Sequence, residues 1–101
     1  MRVLFTARAE AHLDVIYAYI ARQAGEARAD AFVQRIIDYC AGFAIFPERG
    51  TCRDDLVPGL RTIGFERSVT IAFLIVPDTV LIEGVYYGGQ NYESAPIFGG
   101  S

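Results

Sequence analysis

The residues of this sequence best equipped for chemistry are its arginines and tyrosines. All 9 basic residues are arginine, and 12 acidic residues leave a formal charge of −3. Arg53, Arg61 and Arg67 fall in or beside a strand-rich second half, where planar guanidinium forks suit a phosphate or a carboxylate. For Arg61 two readings stand: a group holding an anion, or a structural arginine paired with Asp54, Asp55 or Glu66. Arg67 sits at a hairpin tip and reads as a solvated charge, while Arg22, Arg28 and Arg35 fall on solvated helix positions. Tyr87 and Tyr92 could donate a proton, although a phenol with a pKa near ~10 is a poor base at neutral pH. Gln90 and Asn91 offer hydrogen bonds but neither net charge nor acid–base chemistry. His12 has no partner at i±3 or i±4 and reads as a surface histidine. The Asp54-Asp55 pair lacks a third carboxylate and reads as a solvated turn. Cys40 and Cys52 have no CxxC or Cys/His companions, so two reduced thiols are expected and no metal or cofactor. Gly88-Gly89 opens no helix, so a phosphate cradle is unsupported. A chain with a negative balance is not built to grip a polyanion, which argues against direct, high-affinity nucleic-acid binding.

The elements that must position these groups follow from periodicity. With 101 residues, 52% of them hydrophobic, the chain suits one domain with a real core. No run approaches the ~20 apolar residues of a membrane span, and a cytoplasmic protein is expected. Arg2–Thr6 reads as a short strand, with Thr6 as the N-cap of a helix over Ala7–Gln23. That helix carries an inner stripe of Ala9, Leu13, Ile16 and Ile20, and a weaker apolar strip of Ala11, Val15, Ala18 and Tyr19 on nearly the opposite side. A second helix is predicted from Glu26 to Phe46, stopped by Pro47. Its apolar arc runs through Phe32, Val33, Ile36, Ile37, Tyr39, Cys40, Phe43 and Ala44, broader than the ~100° that one sheet covers. Val57-Pro58-Gly59-Leu60 suits a type II turn, with glycine where φ must be positive. Strands follow at Leu60–Phe65, Ser68–Val76 and Thr79–Tyr87, the last two joined at Pro77-Asp78. The order βααβββ implies an α+β domain over residues 1–93, a helical hairpin packed on a small antiparallel sheet, with a tail over 94–101 from which Phe98 could tuck back. The helices carry more apolar surface than the sheet needs. Either the outer strip packs within the hairpin, or it marks an interaction site.

Phe46-Pro47-Glu48-Arg49-Gly50, then Leu56-Val57-Pro58-Gly59-Leu60-Arg61, two apolar runs, and Gly84-Val85-Tyr86-Tyr87-Gly88-Gly89-Gln90-Asn91-Tyr92-Glu93 occur in that order. From about Val3 to Phe98 this arrangement resembles the toxins of the RelE/ParE superfamily of type II toxin–antitoxin systems. The resemblance implies a toxin held in a hetero-oligomer with a cognate antitoxin, ParD-like or similar, whose arm folds onto it. On that resemblance Val15, Tyr19, Phe32 and Ile36 are the candidate antitoxin contacts. Two mechanisms occur in the superfamily. In the ribonuclease branch, sheet arginines and lysines hold the scissile phosphate, which here would leave Arg61, Arg67, Tyr87 and Tyr92 as a reduced site. In the gyrase-poisoning branch many relatives read His-Gly-x-Arg-Asp where this chain reads Tyr87-Gly88-Gly89-Gln90-Asn91. With no lysine in the chain, and Gln90 where a ribonuclease carries a basic residue, the ParE branch and DNA gyrase as target are favoured. Arg53, Arg61, Arg67, Gln90 and Asn91 are then the candidate target contacts. A relative retained for antitoxin binding alone is the third possibility.

Overall fold

The computed structural model describes residues 1–88. The strand β1 (Arg2–Phe5) leads into helix α1 (Ala7–Ala24), and Gly25 separates it from helix α2 (Glu26–Ala41). Thr6 caps α1 as its sequence position predicts, its hydroxyl accepting the Ala9 N–H at 3.1 Å. Beyond α2 a 3-10 turn at Gly42–Ala44 leads to a two-residue strand β2 (Thr51–Cys52), then β3 (Leu60–Phe65), β4 (Val69–Val76) and β5 (Thr79–Tyr87). The sheet has five strands in the order β1-β5-β4-β3-β2.

Two features depart from the expected elements. β1 pairs parallel with β5, from Arg2 against Thr79 to Phe5 against Ile82, so the sheet is mixed although β2 to β5 are antiparallel. The second helix stops at Ala41 rather than at Phe46; the chain tightens into the 3-10 turn at Gly42–Ala44, and Arg49 folds back on it. The guanidinium donates from Nε to the Phe46 carbonyl (2.7 Å) and from Nη2 to the Gly42 carbonyl (3.4 Å). It also lies 5.4 Å from the Phe43 ring centroid, a cation over an aromatic face. Arg49 thereby braces the 3-10 turn that follows α2.

Helix and sheet meet in one core. Ala9, Leu13 and Ile16 of α1, with Phe32, Ile36 and Cys40 of α2, close on Phe73, Val80, Ile82 and Val85 of the sheet. This is the inner stripe read from the sequence, with Ile20 at its edge. Burial pushes the Cys40 thiol up to about 12, so it is an inert core residue. A smaller cluster of Leu60, Ala72 and Tyr86 fills the other sheet face beneath Leu56 and Val57. The loop above it ends in the expected turn, with Leu60 N–H on the Val57 carbonyl (3.0 Å) and Gly59 at φ 81°. No described helix is long and apolar enough to cross a membrane.

A candidate partner-binding groove

β1 ends opposite Ile82, and beyond it the outer edge of β5 has no strand neighbour among the described residues. Buried backbone groups require partners, and α1 supplies them. Thr6 N–H reaches the Ile82 carbonyl at 3.0 Å, and His12 Nδ1 accepts the Val85 N–H at 3.1 Å. His12 is therefore not the surface histidine expected from its sequence neighbours. It is half-buried against the Tyr86 ring, centroids 4.9 Å apart, and clamps α1 to the strand edge. Burial, then the nearby Arg8 charge, hold its pKa below the ordinary value; the accepting nitrogen must be unprotonated in any case.

Beyond this clamp the face of α1 turns to solvent. Val15 is 67% exposed and Tyr19 44% exposed, and Ala11 and Ala18 beside them are exposed too. Packing of this strip within the hairpin is thus ruled out. Tyr87, at the end of β5, stands between the helices with its ring 5.5 Å from Tyr19 and 5.7 Å from Phe32. On the α1 side of Tyr87 a hollow of about 370 Å³ is lined by His12, Val15, Ile16, Tyr19 and Gly88. On the α2 side a second hollow of about 400 Å³ lies among Ile20, Ala24, Arg28, Ala31, Phe32 and Arg35. The two form one apolar, aromatic groove across the helical hairpin with Tyr87 as its divide. Of the four candidate contacts, Val15 and Tyr19 are open to a partner. Phe32, 9% exposed, offers a ring edge to the floor. Ile36 is 0% exposed and leaves the candidate set, since its place in the α2 arc turns it straight into the sheet.

The arginines are spread rather than gathered. Arg61 donates from Nη1 to the Arg49 carbonyl at 3.1 Å, tying β3 to the connection after α2; among the described residues it makes no ion pair with Asp54, Asp55 or Glu66, the second of its two readings. Asp55 instead takes the fork of Arg53 (3.0 and 2.9 Å), which holds its carboxyl below the usual range. Glu66 takes the fork of Arg35 at 2.8 and 3.0 Å, with the same consequence for its own carboxyl. Asp54, read as a solvated turn residue, accepts the Gly59 N–H at 2.7 Å and fastens the loop. Arg67 lies exposed at the β3–β4 tip, at the opposite end of β3 from Arg61. Tyr87 faces the helices. Arg61, Arg67 and Tyr87 therefore line no common cavity, and Gln90, Asn91, Tyr92 and Phe98 lie outside the described residues. No group of three metal-ligating side chains is found among the described residues. Arg49 and His12 are the residues that sequence reasoning missed. The signal for Arg49 was its place within the Phe46–Gly50 phrase, in reach of the carbonyls at a helix end.

The described residues thus form a small α+β domain with an open aromatic groove on its helical hairpin. Residues 3–92 match the family described as ParE toxin of type II toxin–antitoxin system, parDE, and the chain belongs to that family. A solved structure titled "Chromosomal ParDE TA system from P. aeruginosa" is similar, with 27% identity, a TM-score of 0.76, and 87% of this chain and 96% of that chain covered. No curated protein matches the sequence.

Proposed function

We propose that this chain is the toxin of a parDE module that inhibits DNA gyrase in the cytoplasm when free, and that its antitoxin neutralises it by laying an arm in the hairpin groove. The observation that carries the antitoxin part is the exposed strip of Val15 and Tyr19 beside Tyr87. Apolar surface of that kind, on a ParE-family domain, is what an amphipathic arm covers. The gyrase part is supported by family membership over residues 3–92. The dispersal of Arg61, Arg67 and Tyr87 gives the ribonuclease alternative no geometric support, since phosphoryl-oxygen stabilisation needs donors aimed at one point.

The test is supercoiling of relaxed plasmid by purified gyrase with increasing toxin, then with antitoxin added. Supercoiling should fail as toxin rises and return at stoichiometric antitoxin. Full supercoiling at saturating, folded toxin would remove gyrase as target. Codon-specific mRNA cuts on translating ribosomes, lost in Arg61→Ala, would replace it with the ribonuclease reading.

A further inference from the structure

We propose that the α2 half of the groove is a carboxylate seat, and that the antitoxin segment entering it presents an acidic side chain to Arg28. The inference rests on the reading that the antitoxin arm occupies this groove, and it names the chemistry that half selects. Arg28, Ala31 and Arg35 are spaced i, i+3, i+7, which aligns them along one side of the helix. Ala31, and Ala24 from the end of α1, contribute a methyl each, so a hollow opens between the two guanidinium-bearing stems. Its floor is Phe32 and Tyr87, apolar enough that a charge brought there must be paired.

The structure already shows what this rim accepts. Arg35 holds the Glu66 carboxylate through a two-point fork, the geometry in which arginine recognises carboxylates best. Arg28 stands about two turns earlier, and among the described residues no ion pair reaches it. The acids nearest it in sequence, Glu26 and Asp30, act instead on Tyr17 of α1, whose hydroxyl pKa their charges help to raise. Despite a net charge of −3 on the chain, the α2 half is locally cationic. A segment bearing lysine or arginine would be repelled there, and an all-apolar one would leave Arg28 partly desolvated and unpaired. An acidic residue flanked by apolar anchors satisfies both floor and rim, while the α1 half, with neutral His12, Val15 and Tyr19, takes a purely apolar anchor.

The experiment titrates the purified arm of the cognate antitoxin against wild type, Arg28→Gln, Arg28→Glu and Val15→Asp, at low and high salt. Arg28 and Val15 are both exposed, and circular dichroism and thermal midpoints check that every variant folds. Arg28→Gln should weaken binding about tenfold and flatten its salt dependence, with Arg28→Glu weaker still. Val15→Asp should weaken binding without flattening the salt dependence. If Val15→Asp weakens binding while both Arg28 variants bind as wild type, the carboxylate seat is wrong and the groove reading survives. Tighter binding by Arg28→Glu also overturns the seat, because the segment would then be basic. If Val15→Asp and the Arg28 variants are all neutral, the arm lies elsewhere and both readings fall.

Discussion

His12 shows how a single side chain can belong to the architecture while looking idle in the sequence. Its Nδ1 accepts the Val85 N–H, a bond the imidazolium cannot make. Arg8 on the same helix opposes protonation, and the groups facing it from β5 are the Tyr86 ring and, nearby, Glu83. Because the folded-state pKa lies below the unfolded value of 6.5, the unfolded chain binds the proton first as pH falls. Stability from this group is therefore complete above that value and is lost as pH drops below it. Glu66 and Asp55, whose carboxyls are depressed, give up their contribution only at more acidic pH, near and below the ordinary values of 4.5 and 3.8. His12→Gln retains an acceptor that does not titrate. Urea midpoints measured from about pH 8 to about pH 5.5 should fall for wild type and stay flatter for the variant. Parallel curves would show that His12 does not couple to folding.

At the scale of elements, the β3–β4 hairpin carries a correctable flaw. Glu66 and Arg67, in the three-residue loop between Phe65 and Val69, have φ of 49° and 65°, left-handed values that glycine adopts most easily. Arg67 is exposed, so Arg67→Gly should relieve left-handed strain and stabilise the domain by about 0.5–1 kcal/mol. That corresponds to a rise of a few degrees in the thermal midpoint; a fall would mean that Arg67 makes a contact that matters to the fold. The elements themselves were legible to different depths, for physical reasons. α1 and the strands from Leu60 to Tyr87 announce themselves through period and turn residues, because each organises its own neighbours. β1 has four residues and pairs parallel with a strand more than seventy residues away, which no local pattern records. β2, at two residues, is too short to leave a periodic signal, and it lies beside the Arg49–Arg61 tie. Likewise the end of α2 passes into a 3-10 turn braced by Arg49, a contact outside the helix that its period does not record. In the groove, Val15 and Tyr19 could be read from helical phase, whereas Ile36 could not be separated from them until the sheet was in place. Tyr87 was noticed for its hydroxyl, but its role in the groove lies in its ring.

For the whole molecule, one side of the helical hairpin is spent on the core and the other is left open beside Tyr87. Tyr19 separates these two roles because it contributes to both unequally. Its ring meets Tyr87 at 5.5 Å, an aromatic pair worth about 0.5–1.5 kcal/mol, yet 44% of the residue stays exposed. Truncating a central aromatic anchor of an interface costs on the order of 2 kcal/mol or more, a factor of about 30 in affinity. The decisive measurement is thus the affinity of Tyr19→Ala for the cognate antitoxin, taken together with the thermal midpoint of the unbound toxin. Binding should weaken by about 30-fold or more while the midpoint falls by only a few degrees. Unchanged affinity in a folded variant would contradict the groove as the antitoxin surface and move the search to the sheet edge and the Arg53–Arg61 region.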